Sequence, residues 1–125
     1  MRLPDVTDIV PSRRMSVARG TLAGAGHASE EALGTARVAA LLAVKDASRL
    51  LPAFAPFQPT DIFCDIEPSP AGLACTVTVQ GYARTRLSSA ALAGAAAALL
   101  SLLESLGHPE GARIEGLQTV QDVEP

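Results

Sequence analysis

Rings are almost absent from this chain: its 125 residues include no tryptophan, one tyrosine and three phenylalanines. Yet 48% of the residues are apolar and alanine is abundant, so the core must close by bringing backbones near one another. That favours helices lying tight on a sheet and on neighbouring subunits. A cationic surface is missing too. Ten lysines and arginines against 13 acids leave a formal net charge of -3, which argues against nucleic-acid binding, since displacing counterions from phosphates needs a concentrated basic face. Cysteine is limited to Cys64 and Cys75, with no C-x-x-C spacing, and His27 and His108 stand in separate loop-like contexts. The familiar zinc frameworks are therefore excluded, and no metal or other cofactor is expected. The two thiols read as buried side chains on neighbouring strands, where they could face one another. No secretory opening segment is present, so the expected compartment is the reducing cytoplasm. The apolar run ALAGAAAALLSLL, interrupted by Ser101 and followed by Glu104, is too short and broken for a bilayer span, and no membrane partner is expected. GAGHAS, residues 24–29, has too few glycines for a dinucleotide fingerprint. Neither histidine has a nucleophile close in the chain, so no Ser-His-Asp or Cys-His arrangement presents itself.

What is present is organised around residues 33–68. Arg37, Val38, Leu41, Leu42, Lys45 and Arg49 recur with a helical period, and Pro52, Pro56 and Pro59 stop the helix and stiffen the loop beyond it. Ile62, Cys64 and Ile66 then alternate with Asp61, Phe63, Asp65 and Glu67, the pattern of a half-buried strand. The helix is expected to begin after a Ser29 cap, with Glu30 and Glu31 at the positive end of its dipole, and to run to about Leu51 with a break near Gly34 and Thr35. Residues 1–12 read as an extended arm, residues 13–22 as a first strand, and residues 73–82 as a strand forming a hairpin with residues 60–67. Residues 88–106 form an apolar helix ending at Gly107, in which Ala90, Gly94 and Ala98 make a row of small residues, and residues 114–120 close the sheet. One domain spans residues 1–125. Its class is α+β, ferredoxin-like, with a four-stranded antiparallel sheet and two main helices on one face.

The central stretch also resembles a known family. GTAR, Lys45, the LLP of residues 50–52, Pro56, Thr60, Asp65 and the EP of Glu67 and Pro68 fall in step with the cyclic pyranopterin monophosphate synthase (MoaC) family of molybdenum-cofactor biosynthesis. DVTD at residues 5–8, RRMSVARG at residues 13–20 and IEG at residues 114–116 extend the resemblance over nearly the whole chain. It implies dimers assembling into a hexamer, a trimer of dimers, with active sites shared between subunits. It also places Lys45 at the family's active-site lysine.

The departures fall on the family's proton-handling groups. Its Cys-His-Pro loop is Phe54, Ala55 and Pro56 here, and the segment bearing its glutamate pair is residues 86–91, RLSSAA. Its acid survives as Glu104, its second lysine does not, and its glycine-rich lysine tail is absent. Ring opening and cyclic-phosphate closure need several positioned acids and bases, each contributing about a hundredfold or more. The expectation is a diverged homologue without synthase activity, acting as a binding or regulatory subunit with itself or with an intact synthase paralogue. The alternatives are an enzyme of altered chemistry on an anionic purine- or pterin-like molecule, or residual synthase activity. Ligand-binding candidates are Lys45, Arg84, Arg86, Ser88 and Phe54, while Glu104 and His108 are candidate acid–base groups. The plainer readings make Lys45 and Arg49 surface charges, Phe54 a filler of vacated space, and Asp61, Asp65 and Glu67 the wet side of a strand.

Overall fold

Strict alternation between residues 16 and 22 fixes the first strand of the computed structural model, which describes residues 9–124. The elements in order are β1 (Ser12–Ala23), α1 (Glu30–Lys45), α2 (Ala47–Leu50), β2 (Gln58–Ser69), β3 (Gly72–Ala83), α3 (Ser88–Ser105) and β4 (Arg113–Val123). The strands form one four-stranded antiparallel sheet in the order β2-β3-β1-β4. This strand order, with α1 and α3 on one face, is the expected ferredoxin-like α+β arrangement. The greater part of the proposed N-terminal arm lies outside the described residues.

Register decides which side chains meet the helices. Ser16, Ala18, Gly20 and Leu22 pair with Val79, Val77, Cys75 and Leu73, and all eight are buried. Ile62, Cys64 and Ile66 of β2 pair with Val79, Val77 and Cys75 and share that face. Asp61, Phe63, Asp65 and Glu67 consequently turn to the opposite face, as the alternation requires.

The helices are joined through small residues. Ala32, Ala36, Ala40 and Val44, spaced four apart, are the buried stripe of α1, and α3 buries Ala90, Ala91, Gly94, Ala95, Ala98, Leu99 and Leu102. A Cβ on Gly94 would lie 2.7 Å from Val44 Cγ2 and 3.4 Å from the Ala40 carbonyl oxygen. The second side of the small-residue row is thus covered by α1 itself. At 18 residues, α3 is long and apolar enough to cross a membrane on those grounds alone, which corrects the reading that its apolar run is too short. The layer it shares with α1 and the sheet covers the stripe from Ala90 to Leu102, while Leu100 stays 53% exposed.

Local chemistry sets the helix ends. Ser29 Oγ accepts the Ala32 N–H at 3.1 Å, with Glu30 and Glu31 in the first turn. Gly34 and Thr35 do not break α1, which runs unbroken from Glu30 to Lys45, with Thr35 Oγ1 donating to the Glu31 carbonyl at 3.0 Å. The interruption comes instead at Asp46, whose φ of -97° and ψ of 10° depart from helix and separate α2. Past α3, Gly107 takes φ +73°, and the N–H groups of Gly107 and His108 donate to the carbonyls of Glu104 at 3.1 Å and Leu103 at 3.0 Å. This paired capping is why glycine stands there.

Candidate functional site

Lys45 closes α1 and is exposed, lining a hollow of about 250 Å³ with Leu41, Pro59, Thr60, Asp61 and Ile62. Leu41 and Ile62 also belong to a larger cavity of about 450 Å³ beside it, completed by Arg37, Val38, Phe63, Cys64 and Asp65. The two hollows make one groove between α1 and the edge strand β2. Its helical wall follows from spacing, since Arg37, Leu41 and Lys45 recur every four residues and so lie above one another. Its other wall is the edge strand β2, where Ile62 and Cys64 face the helix and Asp61 and Asp65, whose side chains belong to the opposite face, stand at the rim. The groove therefore offers cations from the helix over an apolar floor, with the strand's carboxylates at its edge. Among the described residues Lys45 enters no ion pair, whereas Arg49 reaches Asp46 at 3.9 Å.

The remaining candidates do not join Lys45 there. Arg84 lines a separate cavity of about 260 Å³ with Pro11, Pro56, Phe57, Gln58, Tyr82 and Ala83. Its Nε is buried and has no hydrogen-bond partner among the described residues. A buried donor left unpaired is costly, so an acceptor entering this cavity would be held there. Arg86 has a side chain 80% exposed, with Nε 3.7 Å from Asp122 Oδ2. Asp122 in turn accepts from the fully buried Ser16 hydroxyl at 2.5 Å. Ser88 opens α3. Phe54 meets Phe57 edge to face at 5.8 Å, and both rings pack on the core, so Phe54 occupies space and lines neither hollow of the groove.

Glu104 and His108 sit at the other end of the helical layer. Gly94 lies against Val44, while Ser105 shares a hollow with Ser29 and Glu31, so α1 and α3 run antiparallel. Lys45 is thereby beside the first half of α3. Ser88 and Glu104 are about 24 Å apart at 1.5 Å of rise per residue. His108 Nε2 and Glu104 Oε1 are 2.7 Å apart, with side chains 58% and 76% exposed. They bind each other beside the cap of α3, so the structure does not bring them to Lys45 within one chain.

Sequence reasoning missed two features. The wall formed by Arg37, Val38 and Phe63 was hidden because those positions read as the outer sides of a helix and a strand; only the edge position of β2 turns them into a cavity. The Ser16–Asp122 bond joins residues 106 apart, a pairing that no local pattern announces. Among the described residues no cluster of three or more histidines, cysteines and acids could hold a metal.

Two similar proteins are named cyclic pyranopterin monophosphate synthase. That of Methylobacterium nodulans is 32% identical over 130 residues, covering 94% of this chain and 81% of the relative. That of Novosphingobium aromaticivorans is 27% identical over 131 residues, covering 96% of this chain and 83% of the relative. The model of the MoaC family matches residues 4–115, from ahead of β1 into the start of β4. The groove, the Arg84 cavity and the α3 cap all lie on elements within that match, and the chain belongs to the MoaC family.

Proposed function

We propose that this MoaC-family chain is related to molybdenum-cofactor biosynthesis by descent, has lost synthase activity, and acts as a binding or regulatory subunit. The observation that carries the reading is the lining of the groove around Lys45, which holds Arg37, Cys64, Asp61 and Asp65 but neither the imidazole nor the glutamate pair that the resemblance calls for. Two cations over an apolar floor can hold an anion and orient it, but without that imidazole and glutamate pair the groove lacks the positioned acids and bases that proton exchange at several centres of one substrate requires. Phe54 on the core supports the same reading, because an apolar ring stands where the resemblance calls for a thiol beside an imidazole. The partner is a second copy of this chain or an intact synthase. The sheet face away from the helices, with Phe63 60% and Tyr82 45% exposed, is the surface offered to it.

The test is incubation of the purified protein with the purine-derived precursor of cyclic pyranopterin monophosphate, alongside a relative that turns it over. No product is expected, nor any rescue of molybdoenzyme activity in a strain lacking the synthase. Turnover at the relative's rate would overturn the proposal.

A second reading has its own observation, the unpartnered Arg84 Nε in a cavity walled by Phe57 and Tyr82. It makes the chain an enzyme of altered chemistry on a planar anionic purine- or pterin-like molecule. Consumption of such a compound by the wild-type protein, abolished by Arg84→Ala, would favour it over a binding role.

A further inference from the structure

Cys64 and Cys75 are diagonal neighbours on the helix-facing side of the β2–β3 ladder, since Cys64 pairs with Val77 and Cys75 with Ile66. Their sulfurs are 3.8 Å apart. The two thiols are unlike in every other respect. Cys75 is fully buried, whereas Cys64 is partly exposed and lines the 450 Å³ cavity, where the Arg37 guanidinium lines the same space. A reagent entering the groove meets Cys64 and cannot reach Cys75.

We propose that Cys64 is a peroxide-reactive thiol and Cys75 its resolving partner, and that together they close to an intramolecular disulfide tying the edge strand β2 to β3. The proposal is independent of the loss of synthase activity. Electrostatics give the pair a direction. The hydrogen bond from Cys75 and then Arg37 lower the Cys64 thiol below its ordinary pKa, outweighing its burial and the Asp65 carboxylate. The same hydrogen bond and burial push Cys75 up. Cys64 is thus the thiol that gives up its proton more readily and Cys75 the one that holds it, the asymmetry that sensor thiols require.

In the first step the Cys64 thiolate attacks one oxygen of hydrogen peroxide. The O–O bond breaks, Cys64 becomes the sulfenic acid, and the departing hydroxide takes up the proton the thiol gave away, leaving as water. In the second step the Cys75 sulfur attacks the sulfenic sulfur. The S–S bond forms, the S–O bond breaks, and the Cys75 proton leaves with the hydroxide as a second water. The two thiols lose two electrons and the peroxide gains them. A disulfide is about 2.05 Å long, so the sulfurs need to approach by roughly 1.7 Å from their 3.8 Å separation, a side-chain rotation within an existing strand pair.

The experiment exposes the full chain to hydrogen peroxide, alkylates remaining thiols, and digests with a protease that cuts before aspartate. Cleavage at Asp65 separates the cysteines; trypsin would leave both on one peptide, because no lysine or arginine lies between Arg49 and Arg84. The expected result is a peptide pair within one chain, lighter by two hydrogens and released by dithiothreitol. Cys75→Ala should trap dimedone on Cys64, Cys64→Ser should leave Cys75 unmodified, and Arg37→Ala should slow oxidation severalfold. Full alkylation of both thiols after peroxide, a cross-link between chains, or dimedone on Cys75 instead of Cys64 would each overturn the proposal.

Discussion

The two ends of the α1–α3 layer carry charge differently. At the end where α1 stops and α3 starts, polar groups are left over: Lys45 has no ion-pair partner and the buried Arg84 Nε has no acceptor among the described residues. At the opposite end, Glu104 and His108 satisfy each other, and the last carbonyls of α3 are taken up by Gly107 and His108. Groups already paired are occupied in holding a helix terminus, while unspent donors beside hollows await something else. On the proposed reading, ligand binding falls to the Lys45 and Arg84 end, while Glu104 and His108 hold the end of α3.

The layer joining the two ends gives the largest effects. Leu102 is fully buried one turn before the α3 cap. Leu102→Ala should cost about 2–5 kcal/mol, lowering the melting temperature by roughly 10 °C, because the surrounding alanines are too short to refill the space. A melt unchanged within a degree would mean that this end is looser than described. Gly94→Val should cost about 1–3 kcal/mol, since the first added carbon already falls 2.7 Å from Val44 Cγ2 and 3.2 Å from Val77 Cγ1. Its effect should appear as a loss of stability at both ends together, measured by denaturant unfolding with a single midpoint.

Lys45→Ala tests the ligand end directly. Lys45 is exposed and unpaired, so stability should change by less than about 0.5 kcal/mol. Binding of a purine nucleoside phosphate, followed by calorimetry, should weaken roughly tenfold through loss of one charge-assisted contact. Unaltered affinity would move the ligand end to Arg84.

The scaffold was readable from sequence wherever a pattern was periodic. Alternation gave β1 and β2 and hairpin pairing gave β3, the helical recurrence of Arg37, Val38, Leu41, Leu42 and Lys45 gave α1, and Gly107 marked the end of α3 because a left-handed residue completes that cap. The α1 interruption at Asp46 escaped, since Gly34 and Thr35 looked weaker and nothing in the local pattern marks Asp46 as the residue that leaves helical geometry. Lys45 was marked by resemblance, not by local chemistry. The segregation of Lys45 from Glu104 could not be read, because it depends on the antiparallel course of α1 and α3. The facing of Cys64 and Cys75 was anticipated from strand adjacency, whereas the cavity that exposes only one of them needed β2 at the sheet edge.

Glu104→Gln should have the smallest effect and bears on the comparison most sharply. Its carboxylate is 76% exposed and its bond to His108 spans one helical turn, a pairing worth about 0.3–0.5 kcal/mol at such a surface. The same carboxylate stands at the negative end of the α3 dipole, where its charge is unfavourable by a similar amount. The amide keeps an oxygen for His108 and removes the charge, so the two changes should cancel and the melt should hardly move. Nucleoside phosphate affinity should also be unaffected, since Glu104 lies at the far end of α3 from Lys45. If Glu104→Gln instead weakened binding as much as Lys45→Ala does, a second copy of the chain would have to carry Glu104 to Lys45, and the two ends would be halves of one site between subunits.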